Sequence, residues 1–160
     1  MKLELCPRVT EFPPFAVVEQ EFARPREADV PAAVARELGR IFPRPEALAG
    51  KVVGLTMPSR GIRDIQAVVR TAVAFLKPYC REVRILTAMG THGGGTAEGE
   101  REMAASRGVS EAEVGARVFS NMETRHVATE GDVEVHVSED AMACDLVVLV
   151  NRIKEHTDID

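Results

Sequence analysis

Tryptophan is absent from the 160 residues, tyrosine occurs once, and aromatics make up 4% of the chain. A chain so poor in rings has little with which to stack on bases or sugars. Basic runs are missing too. Twenty Lys and Arg stand against 25 Asp and Glu, a formal charge of −5, and binding a nucleic-acid backbone needs clustered cations. Cysteine is confined to Cys6, Cys80 and Cys144, with no C-x-x-C spacing. Neither a disulfide framework nor a thiolate zinc site is expected, and the cysteines read as small buried apolar residues. The four histidines lack the companion carboxylates of a self-contained metal site. No apolar run approaches the roughly 20 residues that span a bilayer, and the opening MKLELCPRV has no secretory apolar stretch. These absences predict a cytoplasmic globular protein with no nucleic-acid or membrane partner. Contents of 45% hydrophobic and 28% charged residues fit that class.

What the chain does contain is Val, Ala, Leu, Gly and Glu in an alternating order. Residues 1–25 form a Pro-rich opening whose apolar patches at 1–5 and 15–20 suggest a short N-terminal β unit. Asp29 is placed to cap a helix over about 30–39. A strand at 51–56 precedes a helix at 62–76, where Ile65, Val68, Val69, Ala72, Val73 and Leu76 recur with helical spacing. A second strand at 83–88 leads through a glycine loop to a helix at 98–106 with an acidic first turn. Ser110 and Glu113 have capping-box spacing. Short strands at 117–120 and 133–137, a helical turn at 139–143 and a fully apolar buried strand at 145–150 complete the pattern. Apolar runs alternating with helices predict an α/β, Rossmann-like, doubly wound and mostly parallel sheet, with residues 26–160 as its body.

Such sheets bind ligands at the carboxyl ends of their strands, so the residues after each apolar run carry the functional signal. Ser59 and Arg60 follow the first run, and Thr91, His92, Gly93, Gly94, Gly95 and Thr96 follow the second. Asn151, Arg152, Lys154 and His156 follow the last. Three runs thus deliver Arg or His to one sheet edge. Each residue alone also has an ordinary reading. Arg60 and Lys154 suit a solvated surface, the glycines a plain strand–helix turn, and His126 and His136 an exposed or structural role. Consecutive glycines let a backbone approach a ligand, and a helix start offers free N–H groups to an anion. The loop is neither a Walker loop nor G-x-G-x-x-G.

The blocks Gly90-Thr91-His92-Gly93-Gly94, Ser120-Asn121-Met122-Glu123 and Asn151-Arg152-Ile153-Lys154-Glu155-His156-Thr157-Asp158 carry a resemblance. Taken in this order, they are similar to the N-terminal domain of the nickel-pincer lactate racemase family, with residues 51–160 covered. The resemblance implies an isomerase that racemises or epimerises a 2-hydroxy acid by proton-coupled hydride transfer to a nickel-pincer nucleotide. It maps the two catalytic bases onto His92 and His156. Arg60 would neutralise a substrate carboxylate or cofactor phosphate, with Ser59, Thr91, Gly93, Gly94, Gly95, Thr96 and Asn151 as further binding residues. Met57 stands where lactate racemases have Asp, Gly93 where they have Arg, and Glu155 where the nearest clade has Pro. These departures point away from lactate itself.

The family's cofactor-bearing lysine, its later nickel-ligating histidine and a C-terminal domain would follow Asp160. The chain is therefore expected to be an N-terminal part with no metal ligand of its own, inactive alone, whose uncovered apolar surface favours a homo-oligomer. Two rival readings remain: a non-catalytic nucleotide- or phosphate-binding α/β module, and an ordinary nicotinamide oxidoreductase.

Overall fold

The computed structural model describes residues 15–22 and 26–153. It shows an α/β, Rossmann-like fold built on a four-stranded parallel sheet. Helix α1 (Val30–Ile41) begins where the Asp29 carboxylate accepts the Ala32 N–H at 3.0 Å. Pro31 sits in the first turn, where no N–H is needed. Strand β1 (Val52–Pro58) leads through α2 (Ile65–Leu76) to β2 (Glu82–Ala88). Helices α3 (Ala97–Ala105) and α4 (Glu111–Val114) then precede β3 (Arg117–Phe119). The chain next makes a hairpin of β4 (Thr124–Glu130) and β5 (Val133–Ser138), a single turn α5 (Glu139–Met142), and β6 (Leu146–Val148).

The spatial order is β3-β2-β1-β6, all neighbours parallel, with the hairpin as a separate two-stranded sheet. From β1 the chain steps outward to β2 and β3, then returns to the other side of β1. The order of strands therefore reverses between β1 and β6, and in sheets of this kind the crevice opens at that reversal.

Alternation along β1 separates the two faces. Val53, Leu55 and Met57 are wholly buried. In register with Val83 and Ile85 of β2, they join Leu38 of α1, Val69, Val73 and Leu76 of α2, Ala104 of α3 and Val114 of α4 in one core. Burying each large side chain there contributes about 1.5–3 kcal/mol. On the opposite face the approach is tight. A Cβ on Gly54 would lie 2.6 Å from Leu86 Cδ1 and 3.1 Å from Cys144 Sγ. The β3-to-β6 crossover is anchored there twice, because Asp145 accepts the Val52 N–H on its carboxylate at 2.7 Å and donates its own N–H to Val52 O at 2.9 Å.

Several expectations are corrected. The patch at 15–20 has no regular secondary structure and stands exposed, with no strand paired to it among the described residues. The patch at 1–5 lies outside the described residues. Helix α2 starts at Ile65 rather than at 62, because Asp64 takes a left-handed conformation (φ 57°) that ends the preceding loop. Ser110 does not cap a backbone N–H; its hydroxyl donates to the Glu113 carboxylate at 2.8 Å. The last strand covers only Leu146–Val148 and is half-buried, because it is the sheet edge, and Leu149 beyond it is 78% exposed. Cys80 and Cys144 are free thiols of intermediate burial, and that burial pushes both thiols up in pKa.

Candidate functional site

The carboxyl ends of β1, β2 and β6 enclose an open cleft of about 410 Å³. From β1 come Pro58, Ser59 and Arg60; from β2 come Ala88, Met89, Gly90, Thr91 and His92; from beyond β6 come Asn151 and Arg152. Met89 is buried at 3% exposure and belongs to the core, so the cleft is joined directly to the packed interior.

Each wall is held by an identifiable contact. The segment after β1 is tied down by Arg107, which donates to Pro58 O at 3.1 Å. The turn after β2 needs a positive φ at Gly90 (63°) and closes with the His92 N–H donating to Met89 O at 3.2 Å. The segment after β6 is held by Thr56, whose hydroxyl donates to Val150 O at 3.1 Å and accepts the Val150 N–H at 2.9 Å. Arg152 Nη1 reaches Gly61 O at 3.4 Å.

The structure therefore brings Ser59, Arg60, Thr91, His92 and Asn151 into one cleft. Gly93, Gly94, Gly95 and Thr96 follow His92 but do not line it. Gly93 and Thr96 join the start of α3: the Thr96 hydroxyl accepts the Gly99 N–H at 3.1 Å and donates to Gly93 O at 3.2 Å. Gly93 has φ 66°, and a Cβ there would lie 2.6 Å from the Gly99 carbonyl carbon. His156 and Lys154 lie outside the described residues.

Two residues gain a place that their sequence position alone did not assign. Arg152 follows the same strand-end rule that selected Asn151, and its charge doubles the guanidinium content of the cleft. Glu100 is buried at 4% exposure, where its carboxylate accepts hydrogen bonds from Thr87 at the end of β2 and from Ser120 after β3. The signal for it was its spacing, four residues before the buried Ala104 on the same side of α3. Asn121, from the resembling block, is structural: its backbone and side-chain N–H groups both donate to Asp140 at 2.9 Å.

Charge sorts the chemistry. Among the described residues, Arg60, Arg152 and His92 are the ionisable groups lining the cleft, with no carboxylate beside them. Guanidinium, imidazole, hydroxyl and amide groups together suit a small anion bearing hydroxyl oxygens. Among the described residues no group of three or more His, Cys, Asp or Glu is arranged to hold a metal ion. These residues therefore fit the anionic parts of a nucleotide or substrate and not a nickel centre. No helix among them is long and apolar enough to cross a membrane. Comparisons of the chain with protein-family models, curated proteins and solved structures found no match.

Proposed function

We propose that this chain is the catalytic, cofactor-side N-terminal domain of a 2-hydroxyacid racemase or epimerase of the lactate racemase-like kind. The single observation that carries this reading is the meeting of Arg60, His92 and Asn151, from three separate strand ends, around the reversal point of the sheet. In this reading Arg60 binds the carboxylate of a 2-hydroxy acid, since its planar fork matches a carboxylate in two parallel bonds. Ser59, Thr91 and Asn151 orient the carboxylate and the hydroxyl. His92 would hold the proton of the substrate hydroxyl on one face and return it, and His156 would serve the opposite face. An imidazole can both accept and donate a proton, which suits both directions.

A nickel-pincer nucleotide, when bound, would supply the reversible hydride acceptor. The described residues offer it no metal ligands, so its metal would be held by residues outside them. The test follows the handedness of a single-enantiomer 2-hydroxy acid with the holoenzyme in deuterated water. Inversion that His92→Ala lowers by about 100-fold or more supports the reading; inversion unchanged in that variant contradicts it.

The phosphate-binding alternative placed the anion on the glycine loop at the start of α3. Gly93 of that loop packs against the backbone of α3, and Glu98 and Glu100 stand in the first turn, so the strand-end cleft is favoured.

A further inference from the structure

A second hollow of about 580 Å³ adjoins the cleft, lined by Gly61, Ile62, Arg63, Asn151 and Arg152. The two spaces share Asn151 and Arg152, and the Arg152 guanidinium, donating to Gly61 O, forms the wall between them. Arg60, Arg152 and Arg63 thus border two adjoining spaces with no carboxylate in their lining among the described residues, in a chain whose formal charge is −5. Among the described residues Arg63 pairs with Asp64, 3.6 Å from its Nε, in a pair exposed at 71% and 53%. A pair so exposed holds its guanidinium weakly and leaves it free to turn to a ligand.

One carboxylate is satisfied by one guanidinium fork. Arg60 meets that need, which leaves Arg152 and Arg63 facing the second hollow with charge to spare. We propose that the ligand of this site is a 2-hydroxy acid carrying a second anionic group, whose distal anion sits between Arg152 and Arg63. This rests on the assignment of the first cleft to a 2-hydroxy acid. The shared chemistry is a distal oxyanion, and its source is either a second carboxylate or a phosphate ester.

Lactate, malate and 3-phosphoglycerate share the 2-hydroxycarboxylate and differ in the distal group: methyl, carboxylate or phosphate. Titration of the chain with each by calorimetry or NMR is expected to show malate or 3-phosphoglycerate binding about tenfold or more tighter than lactate. Whichever gains more identifies the distal anion. Arg63→Gln and Arg152→Gln should shrink that gain, and Arg60→Gln should weaken all three ligands. Equal affinity for all three, with loss in Arg60→Gln, overturns the second subsite while the first cleft stands. A gain that survives both Arg63→Gln and Arg152→Gln also overturns it. Failure of all three to bind overturns the subsite and the 2-hydroxy acid reading together.

Discussion

The Thr56 hydroxyl binds both backbone groups of Val150, donating to the carbonyl at 3.1 Å and accepting the N–H at 2.9 Å. Sheet pairing between β1 and β6 has ended by this point, at Leu55 and Val148. One side chain therefore continues the ladder for two more residues and sets Asn151 at the cleft. Thr56→Val keeps the shape and removes both bonds, at a cost of about 1–3 kcal/mol. Amide hydrogen exchange at Val150 should accelerate in that variant and recover in Thr56→Ser. Unchanged protection in Thr56→Val would contradict the clamp.

Glu100 joins the ends of β2 and β3 beneath the loop that carries His92, by accepting from Thr87 and Ser120. Glu100→Ala strands two hydroxyl donors and opens a void, so a loss of about 2–4 kcal/mol is expected in urea unfolding. Glu100→Gln keeps an acceptor oxygen and should lose less. Equal losses would show that the hydroxyl contacts contribute nothing.

Gly93 and Gly94 both have positive φ, but only Gly93 is crowded, with the Glu100 nitrogen 2.7 Å from where its Cβ would be. Gly94 has nothing within 4 Å. Gly94→Ala should therefore cost about 1 kcal/mol in backbone strain, and Gly93→Ala about 2–3 kcal/mol more through displacement of the α3 start. Thermal unfolding of the two variants measures the gap.

Acid sensitivity should be visible at Glu82, which Arg84 holds below the usual carboxylate range by a hydrogen bond at 2.8 Å. A lowered native pKa means that the pair stabilises the fold above the unfolded carboxylate pKa of about 4.3, and that this contribution fades as pH falls through the lower native value. Glu82→Gln should flatten the acid limb of the stability profile and leave its alkaline limb alone.

Long alternating runs made the sheet legible from sequence, because β1 and β2 are central and need apolar residues on both faces. The hairpin was half legible. Val133, Val135 and Val137 alternate visibly, whereas β4 is exposed along its whole length and its composition (TRHVATE) carries no burial signal. The two-residue Gly131-Asp132 loop, with φ 59° at Gly131, was the available clue to its partner strand. Site residues were legible where a strand delivers them, as with Arg60, His92 and Asn151. Gly93 and Thr96 contact the start of α3, a use of the glycine loop that the sequence did not reveal. Arg63 could not be foreseen, because its place beside Arg152 depends on the left-handed turn at Asp64.

The proposed function requires that Arg60, His92 and Asn151 share one ligand. Amide shift mapping of the isotopically labelled chain during titration with malate tests this most directly. The account predicts that Ser59, Arg60, Thr91, His92, Asn151 and Arg152 move together with one dissociation constant. Movement confined to Gly94, Gly95 and Thr96 at the α3 start, or shifts at the three strand ends that saturate independently, would contradict it.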